Sequence, residues 1–262
     1  MYFRLRYKTE VNVAIQSGDE VISALQMLPY PMTFGGETVQ TSYISGACTH
    51  SRFRSKGSCA SFITVFRPDV TEWSTLQHIN TGRTLVVLII MPVWDMLRYS
   101  SIQLKMIVLP EFIPSKEIAV SVVSEFQEEV YSYLNKKLSE RACCIQHTSE
   151  DFQVIMTDLA ISGGYLFVAR QENEIKGITI IYKGDKHIII NELCAENKDV
   201  EYSLLYAIRH TPDISAWFKS CLPKRNSLNI RYGMARIINA KEVLQIYAAA
   251  FPEDEMQFGI IG

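Results

Sequence analysis

Several features that would assign a chemistry at once are absent from this sequence. The six cysteines form no C-x-x-C pair and no zinc-ligand spacing. A net charge of -2 gives no overall attraction to nucleic acid, so any anion site has to be local. A Walker loop and the three-glycine dinucleotide fingerprint are also missing. What is present is an ordinary globular composition, with 48% hydrophobic and 21% charged residues.

Long apolar runs are missing as well. The longest, from Leu85 to Val93, is far shorter than the roughly 20 residues that span a bilayer, and it contains Pro92. The first residues, MYFRLRYK, lack the apolar core of a signal peptide. Cysteines in mostly apolar surroundings suit buried free thiols in a reducing compartment. We therefore expect a cytoplasmic protein that uses no metal and has neither a nucleic-acid nor a membrane partner.

Hydrophobic periodicity predicts a mixed α+β fold that begins with an antiparallel meander and a helix. Turn signals at Ser17-Gly18-Asp19 and Gly35-Gly36 separate the meander strands, and Pro29 to Pro31 is expected to interrupt the second strand. The predicted elements are strands over Val11–Ile15, Val21–Leu28 and Thr41–Thr49, a helix over Ser58–Phe66, a polar connector over Arg67–Gly82, a strand over Leu85–Ile90, a short helix over Trp94–Ser100 and a strand over Lys105–Leu109.

The second part of the chain is expected to repeat the order of meander and helix, without any repetition at the residue level. Its predicted elements are a long helix over Ser115–Arg141, a helix over Glu150–Leu159 closed by Ser162-Gly163-Gly164, strands over Tyr165–Arg170, Ile175–Tyr182 and Lys186–Leu193, and a helix over Asp199–Arg209. A strand over Arg231–Ile238 and a helix over Ala240–Ala250 follow.

One stretch has the character of a binding site, the segment ACTHSRFRSKGSCA from Ala47 to Ala60. It places cations and small residues between a strand and a helix, where the first helical N–H groups are unpaired and the helix dipole is positive. The cations and small residues concerned are Arg54, Lys56, Ser55, Gly57 and Ser58. From this short motif alone, a phosphate-binding loop and a solvated basic turn both stay open.

The longer run from Val11 to Phe66 resembles the N-terminal acetyltransferase domain of the enhanced-intracellular-survival branch of the GCN5-related N-acetyltransferases (GNAT). The resemblance lies in VAIQSGDEVISALQMLPYPMTFGGETV followed by YISGACTHSRFRSKG. It implies acetyl-coenzyme A as co-substrate, with the pyrophosphate on the loop R-x-x-G-x-[G/A] and the pantetheine arm along the preceding strand. The implied cofactor-binding residues are Ala47, Cys48, Thr49, Arg54, Ser55, Lys56, Gly57, Ser58, Cys59 and Ala60, of which Cys59 departs from the family's small residue.

The resemblance extends more weakly over the rest of the chain and implies two tandem GNAT-like domains, each a mostly antiparallel twisted sheet flanked by helices. The N-terminal domain is expected at residues 1–112 and a second, degenerate domain at 113–228. Residues 229–262 resemble the opening strand and helix of a sterol-carrier-like domain, so a truncated member of the family is expected. The second domain carries Glu196-Asn197-Lys198-Asp199 at the loop position, without glycine, and no coenzyme site is expected there.

The implied function is acetyl transfer from acetyl-coenzyme A to a small-molecule or peptide amine, with a backbone donor of the Ala47–Thr49 strand on the thioester carbonyl. The family's tyrosine acid falls on Leu104, which cannot donate a proton, while Tyr99 is expected to pack. The catalytic residues are therefore not assigned. The alternative is a catalytically impaired acyl-coenzyme-A-binding or scaffold protein, and a homo-oligomer stays open in both cases.

Two histidines and a group of aromatic residues leave further alternatives. His50 could contact a phosphate but is expected to be a turn residue, and His78 is expected to be solvated in the polar connector. The aromatic residues could line an acceptor pocket or belong to the core, and they are Tyr2, Phe3, Tyr7, Tyr30 and Phe34.

Overall fold

The structure, a computed structural model, describes residues 9–54, 76–80, 97–104, 109–111, 115, 117–141, 144–184, 188–212, 214, 228–237, 241, 245–246 and 248–249. Its strands form two sheets, one of six strands and one of four. The described residues divide into two compact units. Those within 9–102, 141–146 and 229–249 form the first unit, and those within 103–140 and 147–228 form the second.

The first unit opens with the antiparallel meander that the sequence predicts. Strand β1 (Asn12–Ser17) pairs with β2 (Glu20–Phe34), and β2 pairs with β3 (Glu37–Thr49). Gly35 and Gly36 close the second hairpin with φ angles of 57° and 85°. A two-residue hairpin turn of this kind needs a left-handed backbone at both central positions, which glycine adopts without a steric penalty.

The prediction that Pro29 to Pro31 interrupts the second strand is wrong, because β2 runs through both prolines. β1 pairs only with the first half of β2, so the missing proline N–H groups face an edge that β1 does not cover. A separate segment covers this edge further along β2. The Gln146 N–H donates to the Pro31 carbonyl at 2.8 Å, and the Thr33 N–H donates to the Cys144 carbonyl at 2.9 Å.

Three more strands complete the six-stranded sheet: β4 (Leu76–Asn80), β5 (Leu97–Leu104) and β10 (Leu228–Ile237). The strand order is β1-β2-β3-β4-β10-β5. β4 is parallel to β3 and antiparallel to β10. The strand predicted near residue 231 is therefore confirmed, and it belongs to the same sheet as β1 to β5. That residues 229–262 begin a sterol-carrier-like domain stays a prediction.

Two predictions in this region are wrong. The polar connector expected over Arg67–Gly82 contains β4, and where the short helix over Trp94–Ser100 was expected, β5 begins at Leu97. β4 has the sequence LQHIN, which is polar enough for a loop, and it is extended because strands pair with it on both sides. The predicted helix over Ser58–Phe66, the strand over Leu85–Ile90 and residues 105–108 of the next strand lie outside the described residues.

The second unit contains a four-stranded antiparallel sheet in sequence order: β6 (Ala119–Val123), β7 (Tyr165–Gln171), β8 (Glu174–Lys183) and β9 (Ile188–Ala195). The last three confirm the predicted strands. β6 overturns part of the long helix predicted over Ser115–Arg141, since only Glu128–Ser139 forms a helix, α1. The β-branched run from Ile118 to Val123 favours a strand, and pairing with β7 provides its hydrogen bonds.

Two further helices, α2 (Ser149–Ser162) and α3 (Lys198–His210), confirm the predicted ones. α2 begins with a capping box, in which Thr148 and Asp151 each bond the backbone N–H of the other. It ends at Gly163, whose φ of 68° gives the left-handed C-terminal cap. These local signals at its two ends explain why α2 was predictable.

The core of the second unit lies between α3 and the sheet. Phe167 and Ile181 of the sheet and Val200 and Leu204 of α3 are each 0–1% exposed and belong to one apolar cluster. Gly177 of β8 lets α3 approach the sheet, because a Cβ there would lie 2.5 Å from Val200 Cγ1. The predicted fold class, a mixed α+β protein with mostly antiparallel sheets and packed helices, is confirmed.

Candidate functional site

The end of β3 is distorted at Gly46. The register of β2 and β3 slips by one residue there, since Gln26 lies opposite Ser45 but Ala24 lies opposite Cys48. Two residues of β3 thus face one residue of β2, which defines a β-bulge. Gly46 has a φ of 60°, the left-handed backbone expected at the first position of a glycine bulge. A bulge bends the strand and increases its twist, so it changes the direction of the residues that follow.

β3 also separates from its parallel neighbour. β3 and β4 pair only from Thr41 to Tyr43 on β3, although β3 continues to Thr49. Within the described part of the chain, no strand pairs with Ile44–Thr49 on the side of β4. An edge of this kind can bind an extended ligand through backbone hydrogen bonds. The predicted pantetheine-facing residues lie on this edge.

The three predicted residues of the strand differ in exposure. Ala47 and Cys48 are exposed, and Cys48 is a free thiol. Thr49 is half-buried and pairs with Ser23, which is 1% exposed. The Ser23 hydroxyl donates to the Thr49 hydroxyl across 3.0 Å. The strand therefore presents small, accessible residues while its last side chain is anchored to β2.

A short turn carries the chain from β3 toward the basic loop. The His50 N–H donates to the Ile22 carbonyl at 2.8 Å, and the imidazole Nδ1 accepts from the Arg52 N–H at 3.4 Å. His50 thereby caps a single 3-10 turn, Ser51–Phe53. The expectation that His50 is a turn residue is confirmed. Its ring also lies 6.0 Å from that of Phe53.

The two arginines of the turn differ in whether a carboxylate pairs with them. Arg52 forms an ion pair with Glu20 of the β1–β2 hairpin. Arg54 follows the turn with extended backbone, φ -63° and ψ 150°, and is exposed. Among the described side chains no carboxylate pairs with it. Arg54 is therefore the cation of the turn whose charge is available to an anionic ligand.

The remaining predicted site residues cannot be placed. Ser55, Lys56, Gly57, Ser58, Cys59 and Ala60 lie outside the described residues, as do Trp94 and the aromatic residues Tyr2, Phe3 and Tyr7. Leu104, to which the resemblance assigns the family's tyrosine acid, ends β5, and Tyr99 lies on the same strand. His78 lies on β4, opposite Tyr43 and Ala235, rather than in an irregular connector.

Two of the aromatic residues considered for an acceptor pocket can be placed. Tyr30 is 8% exposed, and its ring centroid lies 6.2 Å from that of Tyr43. Phe34 packs against the buried pair Met32 and Val39. Both side chains therefore contribute to the packing of the first sheet.

Sequence reasoning missed the β2 residues that support the site. Glu20, Ser23 and Gln26 contact the residues of β3 or of the turn through tertiary pairing, which leaves no local trace in the sequence. A signal did exist for the bulge, because a single glycine inside a predicted strand, here Gly46, is typical of one.

At the corresponding strand-to-helix junction of the second unit, two side chains already have partners within the protein. Asn197 caps α3, with its Oδ1 accepting from the Val200 N–H at 3.0 Å. Lys198 forms an ion pair with Glu201 at 2.7 Å. One helical N–H and the nearest cation are thus already engaged within the protein.

Comparison with protein families identifies one match. Residues 1–73 match the family model of the acetyltransferase (GNAT) domain. This range contains the meander, the bulged strand, the turn and the basic loop. A comparison with the curated proteins finds no match.

Solved structures share the fold over most of the chain. A GCN5-related N-acetyltransferase from Anabaena variabilis has a TM-score of 0.68 at 13% identity, with 91% of this chain and 65% of that chain covered. A probable N-acyltransferase from Enterococcus faecalis has a TM-score of 0.64 at 12% identity, with 87% and 62% covered. Eis1 from Mycobacterium abscessus has a TM-score of 0.60 at 8% identity, with 90% and 66% covered. This chain thus spans just under two thirds of the length of the first two.

Two further properties of the described residues concern membranes and metals. None of the described helices is long and apolar enough to cross a bilayer. The described side chains contain no group of three His, Cys, Asp or Glu that could hold a metal ion. Residues 1–73 thus match the GNAT acetyltransferase domain model, and most of the chain shares the fold of the solved structures named above.

Proposed function

We propose that this protein is an N-acetyltransferase that transfers an acetyl group from acetyl-coenzyme A to an amine of a small molecule or a peptide. The observation that carries the proposal is the end of β3, where a bulged strand leaves its parallel neighbour and leads through a capped turn to Arg54. The match of residues 1–73 to the GNAT domain supports the same assignment.

In this proposal, the residues that hold the coenzyme are those carried over from the family pattern. The pantetheine arm pairs with the backbone of Ala47, Cys48 and Thr49, and a backbone N–H of this segment polarises the thioester carbonyl. The pyrophosphate is bound by Arg54 and by the loop that follows, which comprises Ser55, Lys56, Gly57, Ser58, Cys59 and Ala60. Arg54 supports this role because no described carboxylate neutralises it.

Holding the thioester and the amine together lowers the entropic cost of the reaction, and this is the largest contribution such a site can make without its own acid. The bound coenzyme supplies an activated acyl group. The protein must still remove a proton from the amine and protonate the leaving thiolate. No residue is assigned to either step.

A second candidate function rests on Leu104, the residue to which the resemblance assigns the family's tyrosine acid and with which β5 ends. A leucine cannot protonate a thiolate, so an acyl-coenzyme-A-binding or scaffold protein without turnover is the alternative. Both candidates use the same binding site and differ only in chemistry. In either form, the proposal also includes a cytoplasmic location and a possible homo-oligomer. It includes no nucleic-acid or membrane partner, and the acceptor is an amine of a small molecule or a peptide.

The proposed layout places an N-terminal GNAT domain at residues 1–112, a degenerate one at 113–228 and the start of a further domain at 229–262. The capping bond of Asn197 and the ion pair of Lys198 support a single coenzyme site, located in the first domain. Titration should then saturate at one coenzyme per chain.

The experiment is a thermal-shift titration with acetyl-coenzyme A, followed by an assay of thiol release with a panel of amines. A ligand that binds only the folded state raises the free energy of unfolding by RT ln(1 + [L]/Kd), and the melting temperature rises as a result. No shift at millimolar ligand would reject both candidates. A shift without thiol release favours the binding protein, and thiol release that depends on the amine favours the transferase.

A further inference from the structure

Gln26 of β2 carries an unusual buried oxygen. Gln26 is 3% exposed, and its Nε2 donates to Asn12 Oδ1 of β1 at 3.0 Å. Its Oε1 has no hydrogen-bond partner among the described residues. A buried amide oxygen without a partner is destabilising, so such an atom calls for an explanation.

This oxygen lies beside the bulge of β3. Gln26 lies opposite Ser45, directly next to the register slip between Ala24 and Gln26. A Cβ built on Gly46 would lie 4.0 Å from Gln26 Oε1, so the oxygen lies close to the bulge. The bulge in turn sets the direction of Ala47–Thr49. A side chain anchored on β1 therefore reaches the one point where β3 leaves its regular path.

The space beside Gly46 is open among the described residues. The oxygen is buried, and the nearest group to a Gly46 Cβ within 4 Å is Gln26 Oε1 itself. Bulges leave backbone groups outside the regular ladder of hydrogen bonds. A buried water with two or more polar partners satisfies groups of this kind in folded proteins.

We propose that Gln26 is a positioning residue for the acyl-donor strand, and that its Oε1 and the bulge backbone at Gly46 hold one ordered water. The water continues the hydrogen-bonded row from Asn12 through Gln26 into β3. It fixes the bulge, and the bulge fixes the direction of the backbone N–H that faces the thioester carbonyl. The kinetic part of this inference rests on the proposed function, whereas the structural part does not.

The structural test is a high-resolution crystal structure of the full chain. We expect a water within hydrogen-bond distance of both Gln26 Oε1 and a backbone atom of the bulge. Hydrogen exchange of residues 45–49 should be faster in Gln26→Met than in the wild type, because methionine fills the space without an acceptor. A direct protein partner on Oε1, or unchanged exchange at the bulge in Gln26→Met, would overturn the proposal whether or not the protein binds acetyl-coenzyme A.

The kinetic test compares Gln26→Met with Asn12→Ala as the matched control. The control removes the Nε2 bond and with it the anchor on β1, but it keeps the Oε1 acceptor that would bind the water. If Oε1 positions the strand, kcat falls roughly tenfold or more in Gln26→Met and little in Asn12→Ala, since small misplacements of a reacting group are costly. The Kd for acetyl-coenzyme A from thermal shift should change far less than kcat. Equal losses of kcat in the two variants would mean that Gln26 has only a structural role, and this result would refute its positioning role.

The fold of each variant is checked by its melting temperature without ligand. Gln26→Glu supplies a conservative comparison, because a protonated carboxyl keeps the carbonyl oxygen at the same position. We expect its bulge protection and kcat, each compared with the wild type at the same pH, to approach the wild-type values as the pH is lowered, and no such recovery at any pH would count against the inference. If the chain binds no coenzyme, the kinetic comparison cannot be made. The hydrogen-exchange measurement then decides whether Gln26 fixes the bulge.

Discussion

The Ser23 hydroxyl of β2 donates a hydrogen bond to the Thr49 hydroxyl of β3, and the two oxygens lie 3.0 Å apart. Ser23 is 1% exposed, whereas Thr49 is half-buried. The two ends of this hydrogen bond are therefore not equivalent. Thr49 can replace a lost partner with water, and Ser23 cannot.

This asymmetry leads to a stability prediction. Thr49→Val leaves the buried Ser23 hydroxyl without its partner and should cost about 1–3 kcal/mol of unfolding free energy. Ser23→Ala leaves Thr49 to solvent and should cost only about 0.5–1.5 kcal/mol. The double variant should be more stable than Thr49→Val alone. Urea unfolding measures all three, and strictly additive costs would contradict the argument.

The proposed role of Arg54 and Lys56 in phosphate binding leads to a prediction about affinity. Replacing both with alanine should weaken acetyl-coenzyme A binding about tenfold or more, because hydrogen bonds to phosphate are charge-assisted. The matched control is Lys198→Ala, which removes a cation from the corresponding junction of the second unit. Isothermal titration at low and high salt measures the effect. Wild-type affinity should fall more steeply with salt than that of the double variant, and equal salt dependence would argue against a phosphate-binding loop.

Gly177 tests the packing of α3 on the second sheet. In Gly177→Ala the added Cβ would lie 2.5 Å from Val200 Cγ1 and 2.8 Å from the Cys194 carbonyl oxygen. Such overpacking should cost about 1–3 kcal/mol, measured by urea unfolding. Val200→Ala should relieve part of this cost when the two changes are combined. A Gly177→Ala variant as stable as the wild type would show that α3 is not held against β8 in this way.

Tyr133 of α1 provides a pH prediction. Its hydroxyl donates to the Lys176 carbonyl at 2.9 Å, and burial, with the nearby Glu196 carboxylate, raises the pKa of Tyr133 from 10.0 to about 12. Because the pKa is higher in the folded state, the neutral phenol stabilises the fold fully below pH 10, and this contribution is lost as the pH rises through about 12.

The comparison is with Tyr133→Phe, which removes the hydroxyl and its titration. Below pH 10 the wild type should be more stable by about 0.5–1.5 kcal/mol, the usual contribution of one hydrogen bond. Between pH 10 and about 12 the difference between the two proteins should shrink. Unfolding free energies at several pH values give the result. A difference that stays constant across this range would mean that Tyr133 titrates with its ordinary pKa.

Local signals in the sequence were sufficient for much of the fold. The capping box at Thr148 and the left-handed Gly163 each act within a few residues, and the helix that they bound was predicted close to its observed position. The Gly35-Gly36 turn was also predicted, although the strands on either side of it reach further toward the turn than expected. The run Ile118–Val123 was misread as helix because Ile118 and Val122 continue at helical spacing into the apolar residues Phe126, Val130 and Leu134 that follow. Its β-branched composition is the signal that favours the strand.

The basic segment and its place after a strand were also determined by the sequence, since cations, small residues and the order of elements can be read directly from it. Only the tertiary structure decided that β2 runs through Pro29 and Pro31, that the polar LQHIN segment is a strand, and that β10 joins the first sheet. It also decided that Glu20 engages Arg52 while no described carboxylate pairs with Arg54. The physical reason is the same in each case, because hydrogen bonds and ion pairs between residues distant in sequence depend on which strands become neighbours.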